Sequence, residues 1–276
     1  MHDQAFCEKY GPWAIVTGAS AGIGAEFARQ IAGKGVNVVL VARRRPLLET
    51  LAQELHQDYG IEARAVSVDL TRPDFLSLLQ EATSDLEINL LINNAGKVNF
   101  GDFLDNTLED ELRAVDLNVR ATVALCHAYG GSMAQRRRGG IAILSSSIGF
   151  IGMPKFANYA ATKAYDLLLA EGLAEEFKGY GVDVLAVTPG FTKSEYLDSL
   201  DLSQMPMDPM DTDVLVAASL EKLGSNTRIV MPGAMNQVMY MVTKLLGRRT
   251  STAMMAKMVS RLRLKSDQGE SAVKIA

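Results

Sequence analysis

The run Val36-Asn37-Val38-Val39-Leu40-Val41-Ala42 has the continuous hydrophobicity of a strand buried on both faces. A strand with one wet face alternates apolar and polar side chains, so a run of this kind belongs to a parallel sheet covered by helices on either side. Apolar runs at 14–17, 65–68, 90–92, 141–144, 182–187 and 228–231 repeat the signal. Helical patterns lie between them: Ile23, Phe27 and Ile31, a start at Pro46, another from Arg72, a long stretch from Leu112 to Met133, and one from about Asn158. Strands separated by helices of this length imply right-handed βαβ crossovers. The expected fold is α/β, a doubly wound parallel sheet of about seven strands with helices on both faces.

A chain of 276 residues suits one such domain, 1–233, with an extension over 234–276. With 48% apolar and 22% charged residues it can bury a sizeable core, which excludes a disordered chain. A net charge of −4 without an aromatic-interleaved basic stripe argues against nucleic acid as a partner. Cys7 and Cys126 have neither CxxC nor metal-ligand spacing, and His2, His56 and His127 are scattered, so no metal site is expected. Free thiols fit a reducing cytoplasm, and Asp3 and Glu8 precede any apolar run, which is unlike a secretory signal. A GxSxG nucleophile elbow is absent, leaving a hydrolase without support.

Between the first strand and first helix stands Thr17-Gly18-Ala19-Ser20-Ala21-Gly22-Ile23-Gly24. Glycines there let the backbone approach a pyrophosphate, and the helix N-terminus supplies N–H donors, so Gly18, Ser20, Gly22, Ile23 and Gly24 are expected to cradle a nucleotide. The TGxxxGxG spacing, with Asn93-Asn94-Ala95-Gly96, Tyr159-Ala160-Ala161-Thr162-Lys163 and Pro189-Gly190 following in order, resembles the short-chain dehydrogenase/reductase family over about residues 10–232. The resemblance implies a Rossmann-type fold. It adds cofactor contacts at Asp69 (to adenine), Leu70, Asn94, Ala95, Gly96, Pro189, Gly190, Thr192 and Ser194, besides Tyr159 and Lys163. It also implies a catalytic Ser146, thirteen residues before Tyr159, and Asn118 as a fourth catalytic residue anchoring a water; Ser145 and Ser147 flank Ser146 and leave the choice of serine open.

The pair can be argued from chemistry alone. Tyr159 and Lys163 are four apart on a helix and share a face, which sets an ammonium near a phenol. A free tyrosine titrates near ~10, and a neighbouring cation favours the phenolate, as a general acid/base requires. The resemblance further implies that Ser146 bonds the substrate oxygen and Lys163 the nicotinamide ribose.

After the second strand, where an NAD enzyme places an acidic side chain, this chain has Arg43, Arg44 and Arg45. Guanidinium groups bind phosphate oxygens bidentately, so NADP(H) is the expected cofactor, read by Arg43 and Arg44.

Substrate contacts are expected at Ser146, Phe150, Met153, Tyr159 and Tyr196, the last in an apolar, methionine-containing lid at about 191–210. That lid, and an opening segment 8–14 resembling the branch with hydroxysteroid dehydrogenases and long-chain 3-oxoacyl reductases, imply a hydrophobic ketone or alcohol. The leading expectation is a long-chain 3-oxoacyl or other bulky ketone. A steroid or bile-acid alcohol is the alternative, and a nucleotide-binding regulator without catalysis is the reading from a different class. In the tail, Met235, Val238, Met239, Val242, Leu245 and Leu246 form a helical stripe, and from Tyr240 onward eight Lys/Arg face two Asp/Glu. Three readings stand for it: a helix on its own core, a subunit contact, or peripheral contact with an anionic membrane surface. A homodimer or homotetramer is implied through the helices bearing Asn118 and Tyr159.

Overall fold

The computed structural model describes residues 3–193, 200–201, 209–260 and 263–264. Seven parallel strands form one sheet: β1 (Trp13–Thr17), β2 (Asn37–Ala42), β3 (Ala63–Ser67), β4 (Ile88–Asn93), β5 (Gly139–Leu144), β6 (Val182–Val187) and β8 (Ile229–Val230). A two-residue ribbon of β7 (Leu200–Asp201) and β9 (Arg263–Leu264) stands apart from it. The order β3-β2-β1-β4-β5-β6-β8 reverses between β1 and β4, which opens a crevice at the carboxyl ends of those strands.

Both faces of the sheet are dry, as the unbroken apolar runs require. Ala14, Val16, Val38 and Leu40 join one buried cluster, while their neighbours Trp13, Ile15, Val39 and Val41 join the other. Helices α2 (Gly22–Gly33), α3 (Arg45–Tyr59) and α8 (Thr212–Lys222) cover the first face with Phe27, Ile31, Leu48, Leu55 and Leu215. The second is covered by α4 (Phe75–Ala82), α6 (Ala121–Arg136) and α7 (Ala157–Lys178), through Phe75, Leu79, Leu125 and Leu167.

Three departures from the expected pattern have local causes. Helix α4 starts at Phe75 instead of Arg72, because the Asp69 carboxylate accepts from the N–H and hydroxyl of Thr71 and its carbonyl from the Arg72 N–H, spending those residues on a turn. The long helix from Leu112 to Met133 divides into α5 (Leu108–Val115), a π-helical turn (Asp116–Arg120) and α6. An unforeseen helix, α1 (Gln4–Tyr10), is capped by Asp3 and held to the sheet's lower edge by a hydrogen bond of 2.7 Å from the Tyr10 hydroxyl to Asp183.

The loop after β5 packs closely on α7 along one wall of the crevice. It runs through a 3₁₀ turn (Ser147–Phe150) that presses on α7, and Gly149 is the contact point. A methyl on Gly149 would lie 2.8 Å from the carbonyl carbon and oxygen of Lys163, main-chain atoms that cannot rotate away. Gly149→Ala is therefore expected to cost about 1–3 kcal/mol. Thermal melting would report it as a midpoint several degrees below wild type, and an unchanged midpoint would show that the turn can slide outward.

Candidate active site

The first wall of the crevice is the glycine turn between β1 and α2. Gly18 has φ +67°, and its hydrogen points at Asn94, whose amide donates 2.8 Å to the Thr17 carbonyl and so ties the loop after β4 to the turn. Gly24 packs so closely on Gly18 O that a Cβ would sit 2.3 Å from it. Helix α2 opens at Ala21 with no side-chain cap, and Gly22, at φ +57°, has open space on the side a Cβ would occupy. Uncapped N–H groups beside bare backbone fit the pyrophosphate of a dinucleotide.

At the far end of β2, Arg43, Arg44 and Arg45 form the start of α3, again without a side-chain cap. Arg44 donates from Nη2 to Ser20 Oγ at 3.0 Å and Arg45 pairs with Glu49 at 2.7 Å, while Arg43 is solvent-exposed. Burial works against the nearby Asp69 carboxylate, but the Thr71 donors, then Arg113 at 2.9 Å, and Arg43 hold it below the usual carboxylate range. Leu70 is buried in the core, so only its backbone faces this end of the crevice.

The serine loop sorts the three serines by their bonds. Ser145 Oγ is buried and donates 2.6 Å to the Lys163 carbonyl, and the Ser147 N–H donates 2.8 Å to the Pro189 carbonyl. Ser146 Oγ has only two long contacts of 3.4 Å, to Pro189 O and from the Ile148 N–H, and it lines the cavity. Ser145 is thus committed to fixing the loop on α7, while Ser146 and Ser147, which also line the cavity, keep hydroxyl hydrogen-bonding capacity to spare.

Asn118 lies in the π turn with no exposed surface. Its Oδ1 accepts 2.8 Å from the Lys97 N–H, and its Nδ2 donates to the Lys97 carbonyl at 3.0 Å and to Thr162 Oγ1 at 2.9 Å. The side chain therefore clamps the Asn94–Lys97 loop to α7, a use of its amide other than the expected water anchoring. On α7, Tyr159 is half-buried, and Lys163 Nζ stands 6.0 Å from its ring centre. That ammonium is itself buried, donating 2.6 Å to the Leu144 carbonyl and 2.9 Å to Asp166. Burial would discharge Lys163, but Asp166 and the neighbouring Tyr159 outweigh it and raise its pKa above the ordinary lysine value.

These groups form the polar end of a cavity of about 570 Å³. Its other walls are mostly apolar: Val98, Ile148, Ile151, Met153 and Phe156 from the main domain, and Met235, Met239, Tyr240, Met255, Met258 and Val259, with the polar Asn236 and Thr243 among them, from α9 (Ala234–Leu246) and α10 (Arg248–Val259). The expected stripe on α9 is split, with Met239 and the 55%-exposed Met235 lining the cavity and Val238 and Leu245, 54% and 81% exposed, outside the lining. Phe150, expected to touch substrate, stacks instead under Tyr240 at 4.4 Å and is not part of the lining, whereas Met153 is. Thr192 lines the cavity beside Pro189 and Gly190; Ser194 and Tyr196, with most of the expected lid, lie outside the described residues. Among the described residues no helix is long and apolar enough to cross a membrane, and no cluster of potential metal ligands occurs. The α9–α10 lining and Asp166 escaped the sequence reading; the helical methionine stripe was the available signal for the first.

A family model described as short chain dehydrogenase matches residues 12–204. A 7beta-hydroxysteroid dehydrogenase of Collinsella aerofaciens is 32% identical over 232 residues, covering 81% of this chain and 87% of that protein. A very-long-chain 3-oxoacyl-CoA reductase of Laccaria bicolor is 33% identical over 79% of this chain, which spans only 65% of that longer protein. A short-chain dehydrogenase from Sphingobium yanoikuyae, solved in complex with NADPH, superposes with a TM-score of 0.76 at 33% identity, covering 86% of this chain and 95% of that one.

The clamp by Asn118 sets an expected cost. Asn118→Ala leaves the Lys97 N–H and carbonyl and the Thr162 hydroxyl short of partners, a loss of about 1–3 kcal/mol. Urea denaturation should show an earlier midpoint with an unchanged slope, and an unaltered midpoint would mean that water replaces the amide.

Proposed function

This chain belongs to the short chain dehydrogenase family, oxidoreductases served by a nicotinamide cofactor, and we propose that it interconverts a ketone and a secondary alcohol on a bulky hydrophobic substrate with NADP(H). The observation that carries this reading is the joining of a methionine-rich cavity of about 570 Å³ to Ser146, Tyr159 and Lys163 at one end. A long-chain 3-oxoacyl or similar bulky ketone is the leading substrate class. The 7beta-hydroxysteroid dehydrogenase relative, matched over 87% of its length, favours a steroid alcohol as the second reading. Helices α9 and α10 belong to the substrate chamber, since they supply its outer wall.

A nicotinamide cofactor held by the glycine turn from Gly18 to Gly24, the Asn94 loop and Lys163 would supply the hydride chemistry at the carbonyl or carbinol carbon. Tyr159 gives the substrate oxygen its proton in reduction and removes it in oxidation. Ser146, whose hydroxyl has only long bonds, orients the substrate oxygen and meets its developing charge. Lys163 holds a positive charge beside the phenol and serves the nicotinamide ribose. Asn118 positions the loop carrying Gly96 against α7. The apolar walls exclude water, which strengthens each of these electrostatic contacts.

The three arginines at the start of α3 support NADP(H), since an exposed guanidinium such as Arg43 can meet a 2′-phosphate without first breaking a buried bond. The chain is also read as a homo-oligomer assembling through the α5–α6 stretch that bears Asn118 and through α7, where Leu108, Leu112 and Leu168 are exposed at 55–73%.

Two substitutions test the assignment, followed by loss of reduced-cofactor absorbance on a panel of long-chain 3-oxoacyl thioesters, bulky ketones and oxo-steroids. Tyr159→Phe should lower turnover by roughly 10²–10⁴-fold while leaving cofactor affinity close to wild type, since it removes a proton donor and little else. Near-normal turnover would overturn the role given to Tyr159. Arg43→Ala should weaken NADPH by about 1.5–3 kcal/mol and NADH far less. Fluorescence titration of both cofactors reads the difference, and equal weakening would move phosphate recognition away from Arg43.

A further inference from the structure

Behind the Tyr159–Lys163 pair lies a carboxylate that the mechanism above does not use. Asp166 is one helical turn beyond Lys163 on α7 and is 1% exposed. Its Oδ2 accepts from Lys163 Nζ at 2.9 Å, and its Oδ1 is buried with no hydrogen bond among the described residues. A carboxylate oxygen left unpaired in the interior costs stability, so nothing in the local packing accounts for a charge here. Its one strong interaction is with the lysine.

The other titratable and charged groups on the elements packed against α7 are neutral, bonded elsewhere or, like Glu109 and His127, exposed. Cys126 of α6 is the nearest, and burial pushes its thiol up to about 12, with the Asp166 charge adding to the effect, so it stays neutral. Glu111 of α5 is bonded to Asn99, Asn106 and Asn158, and Asp110 pairs with Lys97. Arg113 of α5 reaches away to Asp69, and Asp116 and Arg120 in the π turn pair with each other. Asp183 of β6 is taken by Tyr10 and Lys9 at the far edge of the sheet. Strand β5 and the Ser147–Phe150 turn contribute no titratable side chain. Among the described residues, Asp166 and Tyr159 are therefore the titratable groups that act on Lys163 in this pocket.

We propose that Asp166 is a positioning residue for the reaction: its carboxylate keeps the buried Lys163 protonated and aligned beside Tyr159 across the working pH range. The proposal rests on the role given to Lys163 above. A lysine enclosed as this one is, with one carbonyl for company, releases its proton unless a counter-charge is present. Asp166 supplies that counter-charge from the side away from the cavity, leaving an N–H of the ammonium for the ribose and Tyr159. Discharge of Lys163 would remove both the positive charge beside the phenol and a donor to the ribose, and both losses weaken ketone reduction.

The test compares Asp166→Asn with wild type. In the reduction direction, the high-pH decline of kcat/KM should begin roughly one pH unit or more lower in the variant. NADPH affinity, read by fluorescence without turnover, should become several-fold weaker on raising pH through the neutral range in D166N and stay nearly level in wild type. Asp166→Glu should restore both profiles toward wild type, because it returns the charge. Asp166→Ser removes the same charge with a smaller side chain and stands in if D166N does not fold. A neutral variant with wild-type profiles, or one whose activity falls equally at every pH with NADPH binding unaltered, would overturn the proposal. So would failure of both neutral variants to fold, which would assign the carboxylate to stability. Failure of the underlying reading looks different: a Lys163→Met enzyme as active as wild type, whatever Asp166 does.

Discussion

The constraint on which the rest of this molecule depends is the burial of both faces of its parallel sheet. Every strand residue from Trp13 to Val16 and from Val38 to Val41 goes into one core or the other, and the few polar side chains on the strands, such as Asn89 and Asn93, are hydrogen-bonded. Polar groups collect where the strands end. The order reversal between β1 and β4 parts the loops at that edge, and the glycine turn, the Asn94 loop, the serine loop and Pro189-Gly190 meet there.

Helix α7 is the second organising element. It packs on β6 and β5, receives the serine loop through Ser145 Oγ and the close approach of Gly149, and takes the Asn118 clamp at Thr162. Every one of these contacts falls within a turn of Tyr159 or Lys163, so the two reactive side chains sit on the most restrained stretch of the helix. Rigid supports of this kind hold a reacting group in place without reorganisation cost at the moment of reaction. The pair of charges behind them, Lys163 and Asp166, is enclosed by the same packing, which makes their interaction strong and their separation costly.

The opposite wall has a different character. Helices α9 and α10 meet the cavity with methionines and Tyr240, flexible or half-buried side chains that adapt to the shape of what they enclose. A rigid polar floor with an adaptable apolar roof separates the two tasks of such an enzyme, since the chemistry needs fixed distances and recognition of a bulky hydrophobic molecule needs mainly area and exclusion of water.

The parallel sheet, the glycine turn and the YxxxK pair were all legible in the sequence, because each is a local pattern: an unbroken apolar run, glycines between a strand and a helix, and two residues one turn apart. The arginines after β2 were legible for the same reason. The chain's linear order could not tell that Ser145 would spend its hydroxyl outside the cavity, because that depended on Ser145 finding the Lys163 carbonyl 18 residues away. Nor could it place Asn118, whose partners Lys97 and Thr162 are brought together only by the π turn and the packing of α7. Phe150 and Met153 looked equivalent in the sequence, and the fold separated them by setting Phe150 beneath Tyr240. The tail showed a helical stripe but not what it faced, because a stripe gives the direction of burial along one helix and only the folded chain supplies the surface that it meets. Periodicity and spacing along the chain thus determined the elements and the reactive pair, while contacts between residues distant in sequence decided the use of Ser145, the clamp, the roof of the cavity and the carboxylate behind the lysine.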